Sequence, residues 1–232
     1  MKLAIMQPYF LPYIGYFQLI GAVDTFVIYD NIKYTKKGWV NRNRMLRNGE
    51  DVMFSLPLAK DSDSLDIVER ELAADFDREK LLNQFKGAYS KAPHFDVTFP
   101  VLARIVRNDE RHLFRYIHQS ITELCDHLGL ATEIRISSEI DIDHDLTSQD
   151  KVLALCKALG ADSYINAIGG LELYCREDFG LQGVELQFIR AKPFEYAQFA
   201  GPTVPWLSII DVLMFNPLDV VQDCIANGYE MI

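Results

Sequence analysis

Two apolar, strand-compatible runs stand within the first thirty residues, Leu3 to Met6 and Thr25 to Asp30, with one short helix-compatible segment from Gly15 between them. That succession reads as a βαβ unit, whose crossover is right-handed, and it commits the chain to an α/β fold with a parallel sheet. The join between the first strand and its helix is unusual in composition: Gln7-Pro8-Tyr9-Phe10-Leu11-Pro12-Tyr13 holds two prolines and three aromatic residues. In open α/β sheets ligands lie beyond the carboxyl ends of the strands, where a helix N-terminus turns unpaired backbone N–H groups toward them. The loop from Gln7 to Tyr16 is therefore the first candidate site. Asp30 closes the second strand and stands at the same sheet edge, either as a site acid or as a strand-terminating turn residue.

The stretch Lys33 to Arg44 is the most polar and basic in the chain. If extended, it places Asn41 and Asn43 on one side and Arg42 and Arg44 on the other, and guanidinium groups suit phosphate or carboxylate because their donors form a rigid fork. Trp39 offers a stacking face. Asn48-Gly49 lies between two strand-like runs and predicts a hairpin that pairs Asn43–Arg47 with Val52–Leu58. The polar loop beyond it, with Lys60, is a candidate cover for a ligand.

From Asp77 to Leu130 the pattern becomes helical, with Leu113, Ile117, Ile121, Leu124 and Leu128 at helical spacing and Pro93 and Pro100 read as breaks. The α/β rhythm then returns. Glu133–Ser137 is strand-like, a helix begins at Thr147 and ends at Gly160, and Ser163–Ala167 is a strand that runs into Ile168-Gly169-Gly170. Another strand, Val184–Ile189, precedes an aromatic loop containing Tyr196 and an apolar segment, Trp206–Phe215, in which Asp211 must find partners. The expected architecture is a mostly parallel sheet flanked by helices, with a β-hairpin and a helical insertion. Residues 1–75 and 131–232 form the core, and residues 76–130 form the insertion or cap.

The net charge of −10 is unevenly spread. Residues 1–60 carry eight Lys/Arg against four acids, a balance of +4, which leaves −14 for the rest. Basic groups gathered beside the candidate loop suit a small anionic ligand, and the overall acidity disfavours an extended nucleic-acid interface. The four cysteines are scattered without metal-ligand or redox spacing and read as reduced thiols, so no metal site is predicted. No apolar run reaches the roughly 20 residues that span a bilayer and no signal-type segment opens the sequence, so a soluble cytoplasmic protein is expected. Oligomeric state is left open.

Together, IMQPYFLPYIGYFQLI at the start, W-x-N-R-N at Trp39–Asn43, GADSYINAIGG at Gly160–Gly170 and LSIID with a downstream FN at Leu207–Asn216 resemble the WbqC-like protein family. That resemblance covers nearly the whole chain. It implies a protein of O-antigen or surface-polysaccharide gene clusters, with a glycine transferase role. The opening loop alone is similar to the F-x-P-x-H-x-G-H-x-x-L-[LI] pattern of nucleotidylyltransferases and pantothenate synthetases, which implies a Rossmann-like, HIGH-type fold; the cofactor is left open, with ATP the candidate the resemblance suggests. Tyr13 and Tyr16 occupy the places of that pattern's two histidines and carry no positive charge near neutral pH, so they supply less stabilisation to a charged phosphate.

Two functions from different classes follow. One is transfer of glycine, or a similar small acyl or aminoacyl group, onto a nucleotide-linked amino sugar, with Gln7, Tyr13 and Tyr16 orienting the reacting groups. Its binding residues are Tyr9, Gly15, Asp30, Trp39, Asn41, Arg42, Asn43, Lys60, Tyr164, Gly169, Gly170 and Tyr196. The other is a non-catalytic nucleotide or nucleotide-sugar binding protein whose HIGH-like loop keeps recognition only.

Overall fold

The structure is a computed structural model and describes residues 1–199 and 201–232. The opening unit forms as strand β1 (Lys2–Met6), helix α1 (Ile14–Gly21) and strand β2 (Thr25–Ile28). The two strands pair in parallel, with Leu3 opposite Thr25 and Met6 opposite Ile28. A hairpin follows, β3 (Arg42–Arg47) and β4 (Glu50–Ser55), antiparallel and with Arg47 opposite Glu50. Asn48 and Gly49 both have positive φ, 55° and 83°, the backbone that a two-residue type I′ turn demands.

Helices α2 (Arg78–Tyr89), α3 (Phe95–Arg107) and α4 (Leu113–Leu128) fill the segment between the hairpin and β5 (Glu133–Ile136). One expectation is corrected here. Pro100 does not break the chain's helical course but sits inside α3. A proline there loses one backbone hydrogen bond, and the loss is offset by packing: Val101, Leu102, Ile105 and Val106 are buried, and Thr98 Oγ1 donates to the Leu213 carbonyl at 3.0 Å.

After β5 come α5 (Ser148–Leu159), β6 (Ser163–Ala167), α6 (Arg176–Leu181), β7 (Glu185–Ala191), α7 (Ile209–Phe215), α8 (Leu218–Asn227) and β8 (Tyr229–Met231). The six-stranded sheet runs in the order β5-β2-β1-β6-β7-β8, parallel except that β8 is antiparallel to β7. Side-chain alternation divides the core into two layers. Ala4, Phe26, Ile28, Ile165 and Ile189 face α1, α3, α4, α7 and α8, while Leu3, Ile5, Val27, Tyr164 and Phe188 pack against α5 and α6.

The topology places the site. From β1 the chain steps to β2 and on to β5 on one side, and β6 lies on the other side of β1. Strand order therefore reverses between β1 and β6, and the diverging connections leave a crevice at their carboxyl ends.

Candidate functional site

The loop between β1 and α1 is held in a strained shape from both flanks. Leu11 has φ 49°, which a branched aliphatic residue adopts only under constraint. Its buried carbonyl accepts two hydrogen bonds, from Asn43 Nδ2 of the hairpin at 2.9 Å and from Ser208 Oγ, the cap of α7, at 2.7 Å. The Phe10 N–H donates to the Val40 carbonyl at 2.9 Å. On the sheet side, Tyr16 donates its hydroxyl to the Gln7 carbonyl at 3.0 Å. Residues far apart in sequence thus converge to fix seven residues of loop.

Beyond that loop lies a cleft of adjoining chambers. The first, of about 640 Å³, sits over the reversal between β1 and β6 and is lined by Gln7, Tyr9, Tyr13, Gly15 and Tyr16 from the opening segment and by Asn166, Gly169 and Gly170 from the end of β6. Tyr29, Gln149 and Tyr174 complete its polar wall. The second, of about 620 Å³, is lined by Trp39, Asn43, Arg44, Arg190 and Trp206 and shares Tyr9, Tyr13 and Ile168 with the first. A smaller one of about 280 Å³ holds Tyr196 and again Tyr13. Tyr13 borders all three.

Glycines shape these walls. A Cβ on Gly15 would lie 2.3–2.5 Å from the Tyr13 ring, and one on Gly170 would lie 2.3 Å from Asn166 Nδ2. Each glycine therefore lets a polar side chain fold flat against the backbone at the chamber wall. Asn166 is further fixed by its Oδ1, which accepts from the Ala167 N–H at 2.9 Å. The N-terminus of α1 begins at Tyr13 with no side-chain cap and no acid in its first turn. A negatively charged group beside it gains from the helix dipole.

The first chamber is electrically neutral. Its titratable lining side chains are tyrosines, and burial raises the pKa of Tyr9, Tyr13, Tyr16 and Tyr174 above the ordinary value of 10.0, with Tyr13 adding to the shift of Tyr9. Tyr29 is pushed up to about 12, again mainly by burial. All of them stay protonated at neutral pH and can both donate and accept a hydrogen bond. The second chamber is different, since it carries two guanidinium groups, each paired with an acid: Arg44 with Asp51 at 2.9 Å and Arg190 with Glu230 at 3.0 Å.

Gln7, Tyr9, Tyr13, Gly15, Tyr16, Trp39, Asn43, Gly169, Gly170 and Tyr196 are thus brought to the cleft. Five other residues stand outside it, each for a visible reason. The Asp30 carboxylate is buried and accepts from Ser138 N at 3.0 Å and Ser138 Oγ at 2.6 Å, so it ties the end of β2 to the turn after β5. Asn41 accepts from Tyr34 Oη at 2.9 Å and donates to the Leu56 carbonyl at 2.8 Å. Arg42 directs Nε to the Gly38 carbonyl at 2.9 Å and Nη2 to the Lys37 carbonyl, tying its own loop. Lys60 is exposed on the loop after β4 and borders none of the three chambers. Tyr164 is fully buried in the opposite core layer, stacked on Phe179 with ring centroids 5.5 Å apart.

A model of the WbqC-like protein family matches residues 7–223. The chain belongs to that family. It is also similar to the uncharacterised protein Rv1507c of Mycobacterium tuberculosis, with 26% identity over 218 residues and 93% of each chain covered. The family match spans the opening loop, the hairpin, the end of β6 and the cap of α7, which are the parts that build the cleft in this WbqC-like protein.

Side chains that sequence reasoning passed over include Asn166, Arg190 and Trp206. Asn166 had a signal, a lone carboxamide near the carboxyl end of an otherwise apolar strand. Arg190 had a similar one, a cation closing β7. Tyr174 and Gln149 had none, because their place depends on how the segments around α5 and α6 fold over the sheet edge.

Proposed function

We propose that this WbqC-like protein binds a nucleotide-linked amino sugar across the first and second chambers and transfers glycine, or another small acyl group, to the sugar's amino group. The observation that carries the reading is the junction itself: a neutral chamber of phenols and carboxamides opens past Tyr13 into one bearing guanidinium groups. Phenols and carboxamides match the mixed donors and acceptors of a nucleoside, while its phosphate is served by the uncapped start of α1 between the two chambers. Glycine activated by ATP as an acyl-adenylate, with release of pyrophosphate, would meet the sugar's amine at Tyr13. The amine attacks the acyl carbon, the new C–N bond replaces the acyl–phosphate bond and AMP leaves, and holding the two reactants in register is a large part of catalysis for such a transfer. The Tyr13 hydroxyl, neutral at pH 7, suits the role of hydrogen-bond donor to a carbonyl oxygen as it gains charge.

A second reading has its own support. The Tyr16 hydroxyl is committed to the Gln7 carbonyl, so of the two tyrosines at the histidine places one holds the loop. That favours recognition without chemistry, a nucleotide-sugar binding protein. Incubation with ATP, glycine and UDP-linked amino sugars separates the two. Appearance of AMP or pyrophosphate with a sugar product heavier by one glycyl group supports transfer. Saturable nucleotide-sugar binding with no product supports the binding protein.

A further inference from the structure

The sequence holds two tryptophans, and both border the second chamber. Trp39 is 41% exposed and Trp206 48% exposed, although indoles are costly to leave in water. Their placement is built. Arg44 lies with its guanidinium carbon 5.7 Å from the Trp39 ring centroid, donates Nη2 to the Trp206 carbonyl at 3.2 Å, and is itself anchored by Asp51. Arg44 thus touches both tryptophans, and Arg42 also lies on Trp39, its guanidinium carbon 5.9 Å from the ring centroid. Trp206 is also held at φ 59°, in the left-handed region, with its ring edge-on to Tyr13 at 6.2 Å. Strain of this kind persists where the surrounding structure imposes it and gathers at ligand sites. On the facing wall, Arg190 is half exposed and gives Nη1 to Glu230, which leaves donors at its other nitrogens.

We propose that the second chamber is the sugar subsite and that it selects a sugar bearing an acid group. The flat, apolar face of a pyranose ring matches an exposed indole, and a carboxylate or phosphate on that ring matches the remaining donors of Arg190. This inference rests on the nucleotide-sugar reading of the cleft and deepens it, since it names which sugars the cleft accepts.

The distribution of aromatic residues supplies the test. The first chamber is lined by tyrosines, whereas Trp39 borders the second chamber and Trp206 borders the second and third, so tryptophan emission reports on the second and third chambers and not on the first, and Trp39 on the second alone. The intact protein is titrated with glucuronic acid, glucose 6-phosphate, glucose and inorganic phosphate. A saturable change is expected with one or both acidic sugars, and which of them acts identifies the acid group. Glucose should bind about ten-fold more weakly, the loss of one charge-assisted contact, and inorganic phosphate should leave the emission unchanged. Arg190→Gln should erase the preference for acidic sugars. Trp39→Ala leaves Trp206 as reporter and should weaken binding about five-fold through loss of one stacking face.

Equal response to glucose and the acidic sugars, no response to any sugar, or unchanged affinity in Trp39→Ala overturns the inference. Calorimetry with UDP-N-acetylglucosamine keeps the two levels apart. Nucleotide-sugar binding beside silent tryptophans removes the sugar subsite and leaves the cleft reading intact. Acidic sugars that shift the emission without any nucleotide-sugar binding do the reverse.

Discussion

At Gly15 a hydrogen in place of a methyl group sets the position of Tyr13. Gly15→Ala puts a Cβ within 2.3–2.5 Å of the Tyr13 ring, and the ring, lying at the chamber boundary, is what can give way. The expected outcome is a loss of nucleotide-sugar affinity of about ten-fold with a far smaller change in melting temperature, checked by calorimetry and thermal unfolding on the same preparation. A second expectation at this scale concerns pH. The lining tyrosines of the first chamber are all raised above 10.0. Affinity of an uncharged nucleoside for that chamber should therefore be flat from roughly pH 6 to pH 9. A mid-range inflection in its binding would assign a titrating group to a chamber whose lining provides none.

Among the elements, the strap between β7 and α7 depends most on one buried group. Asp211 accepts from Tyr89 Oη at 2.9 Å, Tyr196 Oη at 2.7 Å and Gln198 Nε2 at 2.7 Å, and so joins α2, the strap and α7. Asp211→Ala strands these donors and should lower stability by about 2–4 kcal/mol in a denaturant titration, with the second and third chambers loosened. Burial raises the Asp211 pKa above 3.8, and the three hydrogen bonds only partly oppose it. A carboxyl raised in the folded state stabilises the fold below its unfolded value and loses that contribution as pH rises through the folded one. The stability of the wild type minus that of Asp211→Asn should accordingly fall as pH rises from about 3.8 toward neutrality.

The hairpin turn offers a smaller effect: Gly49→Ala forces a side chain into φ 83° and should cost about 1 kcal/mol. That turn was legible in the sequence because Asn-Gly is a local signal. So were β6 from Ser163 to Ala167 and the end of α5 at Gly160, since alternation and a left-handed glycine act over a few residues. The partners of Asp211 were not, because Tyr89 is 122 residues away. Arg42 was hard to read for a different reason, since its partners lie only four and five residues back. Its chemistry suits an anion, but the chain's own carbonyls at Gly38 and Lys37 reach it first. Pro100 in α3 shows the converse, a local rule outweighed by packing.

Across the whole molecule, strand order decides where the cleft lies. The strand order reverses between the parallel strands β1 and β6, and three remote segments, the hairpin, the end of β6 and the cap of α7, converge there on one strained loop. No helix among the described residues is long and apolar enough to cross a membrane. In the proposed function the crevice at this reversal, bounded by Tyr13, holds a nucleotide sugar while the basic loop around Arg42 does not. The direct measurement is the dissociation constant of UDP-N-acetylglucosamine, by calorimetry, for the wild type, Tyr13→Ala and Arg42→Ala. Binding to the wild type is expected, with a loss of about ten-fold or more in Tyr13→Ala and an unchanged constant in folded Arg42→Ala. No binding to the wild type, equal binding to Tyr13→Ala, or a selective loss in Arg42→Ala would contradict it.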